Sequence, residues 1–270
     1  MSNPTNAERN QRLELAVRAA RSAGSETLRW FRQRSLAVDR KGDGSPVTAA
    51  DRAAETALRE EIAAVFPDDA ILGEEFGEKP GASGYRWVLD PIDGTKSFIT
   101  GVPLYTTLVA VMRDDLPVLG VIYAPVTEEI LYAAAGGPTS YAVGDGAPTI
   151  AKASGVERLA EATFLTSEAA SFDKAGARGR RDVYDQLERA CRLTRTWGDA
   201  YGYLLVATGR ADVMVDPEMN LWDAAALQPI VEGAGGHFSD WQGRPTVHTG
   251  NALATNPQLA GLVLSITREG

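Results

Sequence analysis

Trp87-Val88-Leu89-Asp90-Pro91-Ile92-Asp93-Gly94-Thr95 is the stretch around which the chain is organised. Trp87-Val88-Leu89 reads as a short buried strand that runs straight into two aspartates split by Pro91-Ile92. Proline cannot continue a central strand and Gly94 has a permissive backbone, so the sequence predicts a turn here. A turn brings residues three apart to within about 7 Å at Cα, which lets the carboxylates of Asp90 and Asp93 converge. Converging carboxylates repel unless a cation sits between them. Mg²⁺, commonly held by one or two carboxylates plus phosphate oxygens, suits the place. Gly94 and Thr95 then offer backbone N–H groups at a helix start, where an anion can bind. Taken alone, the stretch also fits a plain Asp-Gly turn with solvated acids.

Length and composition narrow the choice. At 270 residues the chain fits one large or two modest domains. A hydrophobic fraction of 44% and a charged fraction of 23% exclude a disordered or fibrous chain. The net charge of −9 argues against nucleic acid as a partner. A phosphate substrate is compatible with that acidity if bound metal reverses the sign locally. Cys191 is the single cysteine, so no intrachain disulfide can form; it reads as buried and inert. No apolar run reaches the roughly 18 residues of a membrane span, and the N-terminus lacks a signal-peptide core. The cytoplasm is the expected compartment.

Leu13, Val17, Ala20, Gly24, Leu28 and Phe31 predict a long amphipathic helix from Glu8 to Arg34 with its arginines on a solvated face. Leu36-Ala37-Val38 predicts a strand, and the Gly/Pro-rich run from Arg40 to Pro46 a loop. Thr48 predicts the N-cap of a helix to Phe66, with Ala53, Ala57, Ile62 and Val65 inward. Asp51 would lie in its first turn, where the helix dipole favours a carboxylate in any case. Lys41 reads either as a solvated charge or as a cation near an acidic site. Ala70–Gly73 predicts a strand delivering Glu74-Glu75, whose side chains diverge so that only one can enter a shared site. Two hairpin strands are expected around Arg113-Asp114-Asp115, and Glu129–Ala135 and Ser140–Val143 continue the antiparallel pattern.

After Ile150 strands and helices alternate. Strands are expected at Thr163–Thr166, Leu193–Thr196 and Ala211–Val215, and helices at Arg180–Cys191, Ala200–Thr208 and Trp222–Glu232. Pro229 should bend or shorten the last of these. The chain therefore reads as α+β over residues 1–148 and α/β over residues 149–270. Asp223 begins the Trp222 helix, where a capping aspartate is commonplace. With Glu74, Asp90 and Asp93 it makes a set of four acids at element ends. The only histidines, His237 and His248, lie far from these motifs, which disfavours zinc. An all-oxygen set indicates Mg²⁺ or Mn²⁺, and a pair of such ions can polarise a phosphoryl group and activate water.

Glu74-Glu75 after Leu72-Gly73, the Trp87–Thr95 stretch, and Leu221-Trp222-Asp223 with Glu232-Gly233-Ala234-Gly235-Gly236 together resemble the inositol monophosphatase family. The resemblance covers nearly the whole chain. It implies a Mg²⁺-dependent phosphatase with a layered α-β-α-β-α sandwich, usually dimeric. It implies a first metal on Glu74, Asp90 and the Ile92 carbonyl, a second on Asp90, Asp93 and Asp223, and a third, weaker ion leaning on Glu74. Thr95, with Glu74 or Asp51, would position and deprotonate the attacking water, and the amides of Gly94 and Thr95 would hold the phosphate.

Arg195-Thr196-Trp197-Gly198-Asp199-Ala200-Tyr201 resembles the histidinol-phosphate phosphatase branch, because Asp199 stands where inositol phosphatases tend to have a small uncharged residue. Thr100 in Ser97-Phe98-Ile99-Thr100-Gly101 resembles that branch too. The resemblance makes Asp199, Asp216 and Arg195 the substrate-side residues, and an acid there suits an ammonium-bearing substrate. Asp199 also fits a simple cap for the helix at Ala200. The expected substrate is L-histidinol phosphate. The rivals are an inositol-1-phosphatase or broad sugar-phosphate phosphatase with the same machinery, and a non-catalytic metal-binding protein of the same fold.

Overall fold

The computed structural model describes residues 6–33, 37–40, 42, 46–174 and 180–268. Lys41, most of the loop up to Pro46, and Leu36 of the expected first strand lie outside them. Helices α1 (Asn6–Leu28) and α2 (Ala49–Val65) flank two short antiparallel strands, β1 (Val38–Arg40) and β2 (Pro46–Thr48). Thr48 caps α2: its Oγ1 accepts the Ala50 N–H at 3.1 Å, and Asp51 Oδ2 accepts the Thr48 N–H at 2.8 Å.

The buried face of α2 is turned about the helix axis from the expected one, whereas that of α1 overlaps the expectation, with Ala20 and Gly24 buried and Leu13 and Val17 packed against the same core. In α2 the buried residues are Ala50, Asp51, Ala54, Glu55, Leu58 and Ile62, whereas Val65 is 51% exposed. Two carboxylates sit on the buried face, so a pattern of apolar residues alone points the wrong way. In α1 the buried stripe is Leu15, Ala16, Ala19, Ala20 and Ala23, small side chains that let the backbone approach α2 and the sheet.

Arg12 overturns the reading of that helix's arginines as solvated. Its guanidinium is buried, donates to both carboxylate oxygens of Asp69 at 2.9 Å, and lies over the Tyr85 and Phe66 rings. Asp69 also accepts from Trp87 Nε1 and Ser83 Oγ. Asp69→Ala leaves a buried cation without its counter-charge, so chemical denaturation should show a loss of about 3–5 kcal/mol. A loss below about 1 kcal/mol, the scale of an exposed pair, would mean that water reaches the site.

The large sheet follows from β3 (Ala70–Gly73), β4 (Gly77–Lys79) and β5 (Tyr85–Asp93); a short helix, α3 (Thr95–Thr100), then leads to β6 (Thr106–Arg113) and β7 (Leu116–Ala124). β8 (Glu129–Ala134), β9 (Ser140–Val143) and β10 (Thr149–Ile150) complete it, in the order β10-β9-β8-β7-β6-β5-β3-β4. Only β3 and β5 run parallel. Asp114 and Asp115, both at positive φ, make the β6–β7 hairpin turn that matches strand twist.

Against expectation, β5 does not turn at Pro91. It continues to Asp93 through a bulge, with Asp90 opposite Leu108 and Asp93 opposite Thr106. Three residues on β5 thus match two on β6. In a regular strand residues three apart face opposite sides of the sheet; the extra residue cancels that alternation and puts Asp90 and Asp93 on one face. Proline is tolerated because the bulged residue needs no ladder partner.

A second sheet is built from β11 (Thr163–Leu165), α4 (Arg181–Ala190), β12 (Leu193–Arg195), α5 (Ala200–Ala207) and β13 (Val213–Asp216). After α6 (Leu221–Ala224) and α7 (Leu227–Gly233) come β14 (His237–Ser239), β15 (Ala252–Thr255) and α8 (Ala260–Arg268). Its order is β12-β11-β13-β15-β14, parallel among β12, β11 and β13 and antiparallel around β15. The expected single helix after Asp223 is split in two, and Pro229 sits in the first turn of α7, where a missing N–H costs nothing.

Helices α1 and α2 cover one face of the large sheet, α5 and α7 fill the space between the sheets, and α4 and α8 cover the outer face of the second sheet. The architecture is an α-β-α-β-α sandwich of mixed α/β class. Among the described residues no helix is long and apolar enough to cross a membrane.

Candidate active site

The parallel pairing of β3 and β5 aligns Gly73 with Leu89, and the Glu74 N–H donates to the Leu89 carbonyl at 3.2 Å. Glu74 is thereby set beside Asp90 at the ends of two neighbouring strands. The β5 bulge turns Asp93 to the same side. Asp223 arrives from α6, where its Oδ2 accepts the Asn220 N–H at 2.6 Å in a capping box. Its capping duty and its place in the site are compatible: Asp90, Asp93 and Asp223 each offer an oxygen within 4.8 Å of the others. They line a cleft of about 990 Å³ together with Glu74, Ile92, Gly94 and Thr95.

Burial, followed by the charges of Glu74, Asp93 and Asp223, pushes the Asp90 carboxyl well above the ordinary carboxylate range. Burial, Asp199 and Asp223 do the same to Asp93, only partly opposed by the Ala200 N–H and Thr106 Oγ1 that its Oδ2 accepts. Asp223 is pushed up to about 7 by burial, against the Asn220 N–H and with Glu74 and Asp199 adding to it. The protein alone therefore supplies too little positive charge to keep these acids ionised together. An all-oxygen donor set with that deficit fits a hard divalent cation and not zinc.

Thr95 Oγ1 donates to the Ile92 carbonyl at 3.1 Å, and Ile92 N–H donates to Asp90 Oδ1 at 3.0 Å, so the turn is tied to its own ligands. Gly94 is at φ 88°, and a Cβ there would lie 2.8 Å from Asp199 Oδ2. The left-handed conformation is what favours glycine there. Asp51 is buried, its Oδ2 accepts from Thr48 N and Oγ1, and it feels the charge of Glu74, but it does not line the cleft.

Asp199 occupies the N-cap position of α5, yet its side chain makes no cap hydrogen bond. Its carboxylate is turned into the cleft against Gly94 instead. Burial raises its pKa, while Lys96 and Ser167 oppose the rise. Asp216 also lines the cleft, but its Oδ1 accepts from Thr166 Oγ1 and the Ser167 N–H, and its Oδ2 from Tyr203 OH. Its carboxyl is pushed up to about 6, chiefly by burial.

Arg195 is not brought to the site: it is exposed on the edge strand β12 and donates to the Thr194 carbonyl. Exposed Thr100 bonds carbonyls of its own helix. His237 and His248 lie outside the cleft, bonded to Ser239 Oγ and the Asp115 carbonyl. Half-buried Cys191 has its thiol pushed up to about 12, chiefly by burial.

The sequence reading missed the rim. Lys96 pairs with Glu168 at 3.0 Å, and Lys174 pairs with Glu218, across the cleft mouth. Glu168 lies three residues beyond the end of strand β11, near a strand end as Glu74 is. Among the described residues eight carboxylates line the cleft against three cations, Arg40, Lys96 and Lys174, so its field attracts positive groups.

The sequence model of the Inositol monophosphatase family matches residues 8–270. A histidinol-phosphatase of Chlorobaculum parvum is 43% identical, with 94% of this chain and 96% of that protein covered. A histidinol-phosphatase of Mycobacterium tuberculosis is 36% identical over 96% of this chain and 98% of that one. Among solved structures, an inositol monophosphatase from Zymomonas mobilis superposes with a TM-score of 0.83 at 35% identity, covering 98% of this chain and 100% of that one. An IMPase of Thermotoga maritima gives 0.82 at 28% identity, covering 96% and 97%. Matched by the family model over nearly its whole length, the chain belongs to the inositol monophosphatase family.

Proposed function

We propose that this phosphoric monoester hydrolase cleaves L-histidinol phosphate to L-histidinol and phosphate, a step of histidine biosynthesis, as a cytoplasmic homodimer. The observation that carries the substrate is Asp199: a carboxylate at an N-cap position that leaves the cap unmade and faces the cleft beside the metal-binding acids. The relatives named histidinol-phosphatase support the same reading.

Glu74, Asp90, the Ile92 carbonyl, Asp93 and Asp223 would hold two or three Mg²⁺ ions, with Mn²⁺ able to replace them. Such ions, when bound, polarise a phosphoryl group and lower the pKa of a coordinated water. The protein's part is positioning. Thr95 Oγ1, whose O–H donates a hydrogen bond to the Ile92 carbonyl, keeps lone pairs to orient a water. Glu74 is the better placed of the two expected bases, since it lines the cleft while Asp51 is committed to Thr48. The backbone N–H groups of Gly94 and Thr95 would hold the phosphate. Asp199 would bind the substrate ammonium, and Asp216, held by Thr166, Ser167 and Tyr203 and with an acceptor site left on Oδ2, would contact the substrate's hydroxyl or amino groups.

The likeness to solved inositol monophosphatases supports a rival in which the same acids act on a polyol phosphate. Phosphate release from L-histidinol phosphate and myo-inositol-1-phosphate, each with Mg²⁺ and with chelator, separates the two. The expected result is Mg²⁺-dependent release with a preference for histidinol phosphate. Release in chelator would overturn the metal assignment, and equal or reversed preference would overturn the substrate.

A further inference from the structure

Glu55 is a buried carboxylate for which the chemistry above has no use. It lies on α2, one turn after Asp51, and is fully shielded from solvent. Its Oε2 accepts the Glu75 N–H at 2.7 Å, and its Oε1 accepts the Phe76 N–H at 3.2 Å and Arg59 Nε at 2.7 Å. Those two amides follow Glu74 directly, while the amide of Glu74 itself is held by the Leu89 carbonyl. The backbone around Glu74 is thus pinned on one side by β5 and on the other by a charged side chain from α2. Gly73 belongs to the same device. A Cβ at that position would lie 2.0 Å from Glu55 Oε1, so the residue before Glu74 has no side chain because the carboxylate occupies its space.

We propose that Glu55 is a positioning residue for the metal site, fixing the backbone that presents Glu74 and thereby setting the affinity for divalent cation. The inference rests on the reading of Glu74 as a metal ligand. A carboxylate ligand on a free turn after a four-residue strand would sample several orientations, and each immobilised rotamer is an entropic cost that cation binding must meet. Charge-assisted bonds from Glu55 to two successive amides meet that cost in folding instead. Arg59, with Nε 2.7 Å from Oε1, supplies a balancing charge beside the buried carboxylate.

Glu55→Gln keeps the shape but offers one acceptor oxygen for two amides and aims an NH₂ at the other. Calorimetric titration of Mg²⁺ alone into the metal-free full-length chain should show its dissociation constant raised on the order of tenfold, the scale for groups that orient a metal ligand. Turnover at saturating Mg²⁺ should stay within about twofold of wild type, since the ligands and water-positioning groups remain. A Mg²⁺ affinity within about twofold of wild type, with a lowered melting temperature only, would make Glu55 a structural cap and overturn the proposal. If Glu55→Gln does not fold, Arg59→Met, which leaves the carboxylate and removes one of its donors, decides by the same criterion. Failure of the wild-type chain to bind Mg²⁺ would overturn the metal reading itself, and is distinct from either result.

Discussion

Asp93→Asn should lower turnover on the order of a thousandfold, the equivalent of about 4 kcal/mol in the barrier, while the fold stays intact. The size follows from the residue's double engagement. One oxygen of Asp93 accepts the Ala200 N–H and the Thr106 hydroxyl, while the carboxylate also belongs to the trio with Asp90 and Asp223. An asparagine can satisfy only one side. If its carbonyl faces the cations, its NH₂ points at the Ala200 N–H and two donors confront each other. If its NH₂ faces the cations, a ligand is replaced by a pair of positive hydrogens. Either orientation removes part of the electrostatic stabilisation that a divalent-cation site supplies to a phosphoryl transfer. Metal-free samples of the variant and the wild type should give the same near-ultraviolet circular dichroism, which separates lost chemistry from lost structure. Retention of more than about a tenth of wild-type turnover would show that Asp93 is not a ligand on which the reaction depends.

Much of this site was legible because it is built at strand and helix ends, where sequence signals are sharpest. Ala70–Gly73 and Ser140–Val143 have the expected limits as strands, and Glu74, Asp90, Asp93 and Asp223 meet as the element ends imply. The mechanism of convergence was not legible. A proline between two aspartates reads as a turn, yet the pairing of Asp90 with Leu108 and of Asp93 with Thr106 shows a bulge within a continuous strand. Which reading holds depends on β6, a partner that local sequence does not identify.

The misplaced face of α2 and the misread Arg12 of α1 have the same origin in different form. Apolar periodicity assumes that buried positions are apolar, but α2 buries Asp51 and Glu55, and α1 buries Arg12. Asp51 is satisfied locally by Thr48, but the other two depend on partners distant in sequence: Arg12 on Asp69, and Glu55 on the amides of Glu75 and Phe76. Arg195 failed for the opposite reason. Its neighbours Thr196, Gly198 and Asp199 line the cleft, but Arg195 itself ends the edge strand β12, exposed, and donates to the Thr194 carbonyl. Proximity in sequence to a functional residue carries no guarantee across a strand-to-helix turn.

Asp199→Ala should split two substrates that the metal site treats alike. The Michaelis constant for L-histidinol phosphate should rise roughly tenfold to a hundredfold, because a hydrogen bond to a charged group contributes about 1.5–3 kcal/mol. That for myo-inositol-1-phosphate, which carries no ammonium, should stay within about twofold. The measurement belongs at saturating Mg²⁺, since Asp199 also raises the pKa of Asp93 and Asp223 and its removal changes the charge that a cation meets. Asp199→Asn sharpens the test. It retains the shape and an acceptor oxygen but not the charge, so it should resemble alanine toward the ammonium-bearing substrate if attraction between opposite charges is what selects it. Because the Asp199 side chain makes no cap bond to α5, neither variant should lower the melting temperature by the amount a lost cap would. Equal loss on both substrates, or a large fall in stability, would place Asp199 in the framework. The cleft would then keep its phosphatase chemistry and lose the one residue that ties it to an amino-bearing substrate.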